Sequence, residues 1–272
     1  MGLLCPDAPT GKEVTHLTPI IRTEGLRKVY RVGSEKVVAL NKIDIEIQKG
    51  EICCIVGQSG SGKSTLLNQL AGLEKPTKGR VFIAGSEISA MTESQLAVFR
   101  QQNLGFIFQS YNLLPSMNAT ENVALPLMFK GVPRVKREKA AAKMLRVMGL
   151  KGREKHRPTE MSGGQQQRVG IARAFVTKPK VVFADEPTGN LDTATTRQVL
   201  QQMLQMAKEN QITFVMVTHE PELAGVADRI ITILDGNVQS NVLQTAEQTV
   251  AAREKLFSEI PGPTPDGKEL QV

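Results

Sequence analysis

Short apolar runs closed by glycine, proline or charge recur along this chain, and between them lie stretches whose apolar positions return every three or four residues. A compact apolar run suits a strand covered on both faces, and the longer period suits an amphipathic helix. Residues 51–56 and 181–184 are runs of the first kind. The earlier one passes at once into a glycine-rich loop and a helical pattern over 63–70. Strand, loop and helix in that order open a parallel α/β sheet. Before it, residues 20–47 alternate short β-rich segments with turns, VGSEK at 32–36 among them.

From about 92 to 163 the pattern turns helical and more polar, with MTESQLAVFRQQ and VKREKAAAKMLRVMGL as its clearest helices. The second joins strong helix formers to an apolar stripe at Ala140, Met144, Val147 and Met148. The α/β alternation then resumes. A helix over 165–176, a strand over 181–184, a helix over 195–208 and a strand over 213–217 lead to a strand pair at 230–234 and 237–239. An amphipathic helix over 244–259 follows, and the PGPTPDG stretch after it predicts disorder. The chain thus divides into a flexible tail (1–18), one α/β domain (19–242) with a helical insert (92–163), and a C-terminal helix and tail (243–272). No internal repeat is present.

Composition narrows the class. Of 272 residues 40% are hydrophobic and 22% charged, as in ordinary globular proteins, and with no Trp the core rests on aliphatic side chains. No apolar run approaches the roughly 18 residues of a spanning helix. The first residues reach Pro6 and charge before any apolar stretch, Pro6 stands where a myristoylation motif has Ser or Thr, and Cys5 lacks a lipoprotein context. These features predict a chain kept in the cytoplasm. Cys53 and Cys54 lie in a strand pattern as small buried residues, without metal-ligand spacing. The 34 Lys and Arg against 27 Asp and Glu leave a net charge of +7, spread out except for a loose cluster at Arg134, Lys136, Arg137 and Lys139.

The chemistry begins at Gly57-Gln58-Ser59-Gly60-Ser61-Gly62-Lys63-Ser64, with Thr65 next, which matches GxxxxGK[ST] between strand and helix. Glycines let successive N–H groups point into one concavity, and the helix that follows adds its positive end. Lys63 reaches the β- and γ-phosphates, and the Ser64 hydroxyl takes a place on Mg²⁺. The loop implies ATP or GTP. A second acidic element, Asp185-Glu186, ends the apolar run at 181–184. Asp185 suits the Mg²⁺ shell and Glu186 the attacking water, because alternation along a strand turns them apart.

Met161-Ser162-Gly163-Gly164-Gln165, followed by QQRVGIARAF, resembles the signature of the ATP-binding cassette family, with Met161 where Leu is usual. Ser162 can cap the helix that starts near Gln165. The resemblance extends over roughly residues 20–240. It implies a P-loop, RecA-like core with an N-terminal antiparallel β subdomain and a helical insert. It also implies that Tyr30 stacks on adenine and that Gln109 senses the γ-phosphate and Mg²⁺. Pro187 to Asp192 (PTGNLD) matches the loop between subunits, and His219 matches the residue that grips the γ-phosphate and supports Glu186. Two such cassettes associate head to tail around two ATP molecules, so a second copy and a membrane-spanning permease are the implied partners. PTGNLD with LLPSMNATENVALPL resembles the branch that serves lipoprotein release, macrolide and peptide export, and cell-division signalling. The segment from Ser110 to Met128 is then the surface facing the membrane subunit. Nucleic acid is not an expected partner: Gly57 and Ser162 lie roughly a hundred positions apart without extended heptads or CxxC, unlike chromosome-structuring cassettes. A cassette that signals across the membrane without cargo stays open as an alternative to export.

Overall fold

The computed structural model describes residues 18–258, so the expectations for the first 17 residues and for PGPTPDG fall outside the described residues. Two sheets organise it. The first is antiparallel and built from β1 (Ile21–Val32), β2 (Glu35–Ile43), β3 (Glu46–Ile47), β5 (Lys78–Ile83) and β6 (Ser86–Glu87). β1 lies between β2 and β5 and also pairs β3. The second sheet runs in the order β11-β10-β4-β9-β8-β7. Its members are β4 (Ile52–Val56), β7 (Leu104–Phe108), β8 (Val181–Asp185), β9 (Thr213–Val217), β10 (Arg229–Leu234) and β11 (Asn237–Leu243). Five strands are parallel, and only the edge strand β11 runs against its neighbour.

The apolar runs follow from this placement. Ile52, Cys54, Val182, Ala184, Phe214 and Met216 face one core, whereas Cys53, Ile55, Val181, Phe183, Val215 and Val217 face the other. These central strands are covered on both sides, so their positions are apolar except for Thr213 and Asp185 at strand ends. The second core also takes α1 (Lys63–Leu70), α2 (Glu93–Asn103) and the inner face of the antiparallel sheet. The first core is closed by α3 (Ala119–Phe129), α4 (Arg134–Val147), α5 (Gly163–Phe175) and α6 (Thr193–Glu209), with the short α7 (Pro221–Ala224) and the final α8 (Ala246–Phe257). Cys53 and Cys54 are fully buried, and burial pushes the Cys54 thiol up to about 12.

Two expectations are corrected. The 92–163 stretch is not wholly helical, because α2 runs straight into β7, which pairs parallel with β8 as the edge of the core sheet. No turn residue separates the two, since Leu104 both ends the helix and starts the strand. In α4 the buried stripe is Ala141, Leu145 and, just past the helix, Met148, with Val147 exposed. Three consecutive alanines leave the helix face unspecified, and packing against α3 and α5 selects it.

Candidate functional site

The loop 57–62 leaves β4 at the centre of the parallel sheet, where strands on either side connect in opposite directions and open a crevice at their C-terminal ends. Its sharp path depends on glycine. Gly57 and Gly62 have φ of 155° and 105°, and a Cβ would collide with the Ile233 carbonyl at the first and with the Ala39 carbonyl at the second. α1 then starts without a side-chain cap and without an acidic residue in its first turn. Its free amides are therefore left to an anion, which is the fit a nucleotide phosphate needs. The Lys63 Nζ donates to the Gln58 carbonyl at 2.8 Å across the loop.

A cleft of about 660 Å³ opens here, lined by Ser59, Gly60, Gly62, Lys63, Ser64, Thr65, Glu186 and His219. Val37, Val38 and Ala39 of β2 and the Asp235-Gly236 turn complete it. The Ser64 hydroxyl donates to the Asp185 carboxylate at 3.2 Å. Burial raises the Asp185 carboxyl above its ordinary range; the Ser64 hydrogen bond and the Lys63 charge oppose the shift, and the Glu186 charge adds to it. The Glu186 Oε1 lies 3.1 Å from the His219 Nδ1, which ties the end of β8 to the end of β9.

Strand alternation is not what separates the two acids. β8 ends at Asp185, and Glu186 adopts the left-handed conformation at φ 42° while its N–H donates to the Val217 carbonyl at 3.1 Å. For a glutamate this conformation costs about 1 kcal/mol or more, and the surrounding structure must hold it.

The remaining predicted residues lie off the cleft lining. Tyr30 sits on β1, and its hydroxyl donates to the Glu74 Oε2 at 2.7 Å with the Lys28 Nζ 5.1 Å from its ring centre. Burial would raise the Glu74 carboxyl, but hydrogen bonds from Tyr30 and Lys28 carry it below its ordinary value. Gln109 follows β7 and packs on the PTGNLD loop: its side chain abuts Gly189, and its carbonyl accepts from the Asn190 Nδ2 at 2.9 Å. Ser162 caps α5 through a reciprocal pair with Gln165, each accepting from the other's backbone N–H. Gly163 and Gly164 lie tight against the Tyr111 hydroxyl and the Thr195 methyl. None of these signature residues lines the cleft.

Four partners were missed by sequence reasoning. Glu74 and Lys28 hold Tyr30, and Arg173 donates to the carbonyls of Tyr111 and Asn112, both left-handed, strapping the segment after Gln109 onto α5. Gln167, fully buried, donates to the Pro187 carbonyl. A glutamine or arginine in a polar helix gives no sequence signal for such a contact.

Known proteins share this sequence and fold. A family model described as ABC transporter matches residues 40–189. A lipoprotein-releasing system ATP-binding protein LolD of Coxiella burnetii is 45% identical over 224 residues, covering 82% of this chain and 96% of that protein. A macrolide export ATP-binding/permease protein MacB of Rhodopirellula baltica is 44% identical over 236 residues, but this chain spans only 34% of its length. A dimeric cassette, MJ0796, solved in a post-hydrolysis state with ADP and Pi, superposes with a TM-score of 0.78 at 37% identity, covering 83% of this chain and 99% of that one. With the phosphate loop, the acid pair, the histidine and the capped signature helix all in place on this fold, the chain belongs to the ABC transporter family as an ATPase cassette.

Proposed function

We propose that this chain is the ATP-hydrolysing subunit of a transporter, working as a head-to-tail pair of copies on the cytoplasmic face of a membrane and driving a separate permease. The observation that carries the pairing is the split site. The cleft holds Lys63, Ser64, Glu186 and His219, while Ser162 to Gln165 present a second set of helix amides that the same cleft does not use. A second copy placed head to tail brings the one to the other, and the relative MJ0796 is a dimer.

Within each site the loop amides and Lys63 bind the phosphates. Ser64 and Asp185, already hydrogen-bonded, would hold Mg²⁺, which supplies charge neutralisation at the transferred phosphoryl group. Glu186 orients and deprotonates the attacking water, and His219 fixes the Glu186 carboxylate from the neighbouring strand. Tyr30, its hydroxyl held by Glu74, receives the adenine, and Gln109 reports on the γ-phosphate from its seat on the PTGNLD loop. The permease docks at the apolar groove between β7 and α3, lined by Phe106, Phe108, Leu125, Pro126 and Phe129. This extends the segment from Ser110 to Met128 back to the edge strand. Likeness to LolD and MacB supports lipoprotein or macrolide-type export as the driven process.

Size-exclusion chromatography with light scattering on Glu186→Gln tests the pairing. A monomer that becomes a dimer with ATP and Mg²⁺ is the expected result. A dimer whose formation ignores nucleotide would overturn the split-site reading.

A further inference from the structure

The α3–α4 tip stands out among surfaces the cassette cycle does not use. Phe129 closes α3 with 65% of its surface exposed, and Val135 in the first turn of α4 is 80% exposed. Lys130, Gly131, Val132 and Pro133 join the two helices. From there Lys136, Lys139 and Lys143 follow one side of α4 at intervals of three and four, all exposed. The only acid on α4, Glu138, is taken by Arg134 at 2.7 Å, and Arg146 faces Glu154 at 3.7 Å. The three lysines have no ion partner among the described residues. A solvated helix face ordinarily mixes signs; this one leaves three like charges beside exposed apolar side chains.

The tip is also continuous with the permease groove, since Phe129 lines both. On that reading of the groove, the tip borders the side of the molecule that meets the membrane subunit. We propose that the α3–α4 tip is a membrane-surface contact, in which Lys136, Lys139 and Lys143 meet anionic lipid headgroups and Phe129 and Val135 enter the interface. It rests on the reading of the groove as the permease site. Basic residues near an anionic leaflet attract it individually and additively, and an aromatic at headgroup level adds to them. The arrangement would set the cassette's tilt against the bilayer while the groove transmits motion.

Flotation of the full chain with vesicles tests it, using phosphatidylcholine alone or phosphatidylcholine with phosphatidylglycerol, at a salt level near 0.15 M where the Debye length is about 8 Å. The chain is expected to float with the anionic vesicles only. The triple substitution Lys136→Gln, Lys139→Gln and Lys143→Gln should weaken partition on the order of a hundredfold. A control triple of the same charge change, at exposed Lys49, Lys180 and Lys208, should leave it within about twofold. Phe129→Ser should weaken it about tenfold. ATP binding by each variant confirms folding. Equal loss in both triples would reduce the effect to net charge and overturn the proposal, as would flotation with neither or both vesicle types. Detergent-solubilised permease separates the two readings. Capture of parent and Lys136 triple alike leaves the groove reading intact whatever the vesicles do, whereas loss of capture in that triple assigns the lysines to protein and overturns the lipid contact.

Discussion

Glu186 and His219 reach each other only because two parallel strands, far apart in sequence, end side by side. On the proposed mechanism, removing the imidazole frees the Glu186 carboxylate to turn away from the attacking water. His219→Ala is therefore expected to lower kcat on the order of a hundredfold while nucleotide binding holds. Single-turnover hydrolysis alongside equilibrium binding measures the split, and unchanged kcat would assign the alignment of Glu186 to another group. Tyr30 gives a complementary case. Its hydroxyl is held by a carboxylate that also takes Lys28, so Glu74→Ala should raise KM for ATP several-fold with kcat unaltered. Glu74→Gln, which still accepts the hydroxyl, should restore KM; a KM insensitive to both would remove Glu74 from base binding. Residue types and spacings made the phosphate loop, the acid pair and the signature legible in sequence, because each is contiguous. The left-handed turn at Glu186 and the Glu74 clamp were not legible, because they depend on where the backbone turns and on contacts 44 positions apart.

At the scale of elements, α/β alternation could be read wherever strands were short apolar runs bounded by turns. It failed at β7, where LGFIF follows a polar helix with no glycine or proline between. The segment between β7 and α3 has a fixed shape of its own. Asn122, fully buried, accepts from the Leu114 N–H at 2.8 Å and donates to the carbonyls of Leu114, Met117 and Asn118. Asn122→Ala would strand several of these groups, each costing about 1–3 kcal/mol when left unpaired in the interior. The variant is expected to lose about 3 kcal/mol in denaturant unfolding and to bind the permease more weakly. A stability unchanged by the substitution would show that water replaces the amide. The basic side of α4 belongs to this same element pair, and there the sequence showed the charges but not that they go unpaired.

For the whole molecule, the sheet gathers Lys63, Glu186 and His219 at one crevice and leaves Ser162 and its neighbours outside it. α8 is built into the same body. Arg253 donates to the Val226 carbonyl and to Asp228, and Asp228 in turn accepts from the Ile52 N–H at the start of β4. The C-terminal helix is thereby tied to the strand that carries the phosphate loop. The separation of the crevice from the signature helix has a genetic consequence. On the proposed split site, a copy with Lys63→Ala and a copy with Ser162→Arg are each expected to be inactive when paired with their own kind. Joined together, they place both lesions in one site and leave the other assembled entirely from sound halves. Two null alleles should therefore complement within one gene, and mixing the purified proteins should restore ATPase activity that neither shows alone. Two silent alleles that stay silent together would mean that each copy completes its own site.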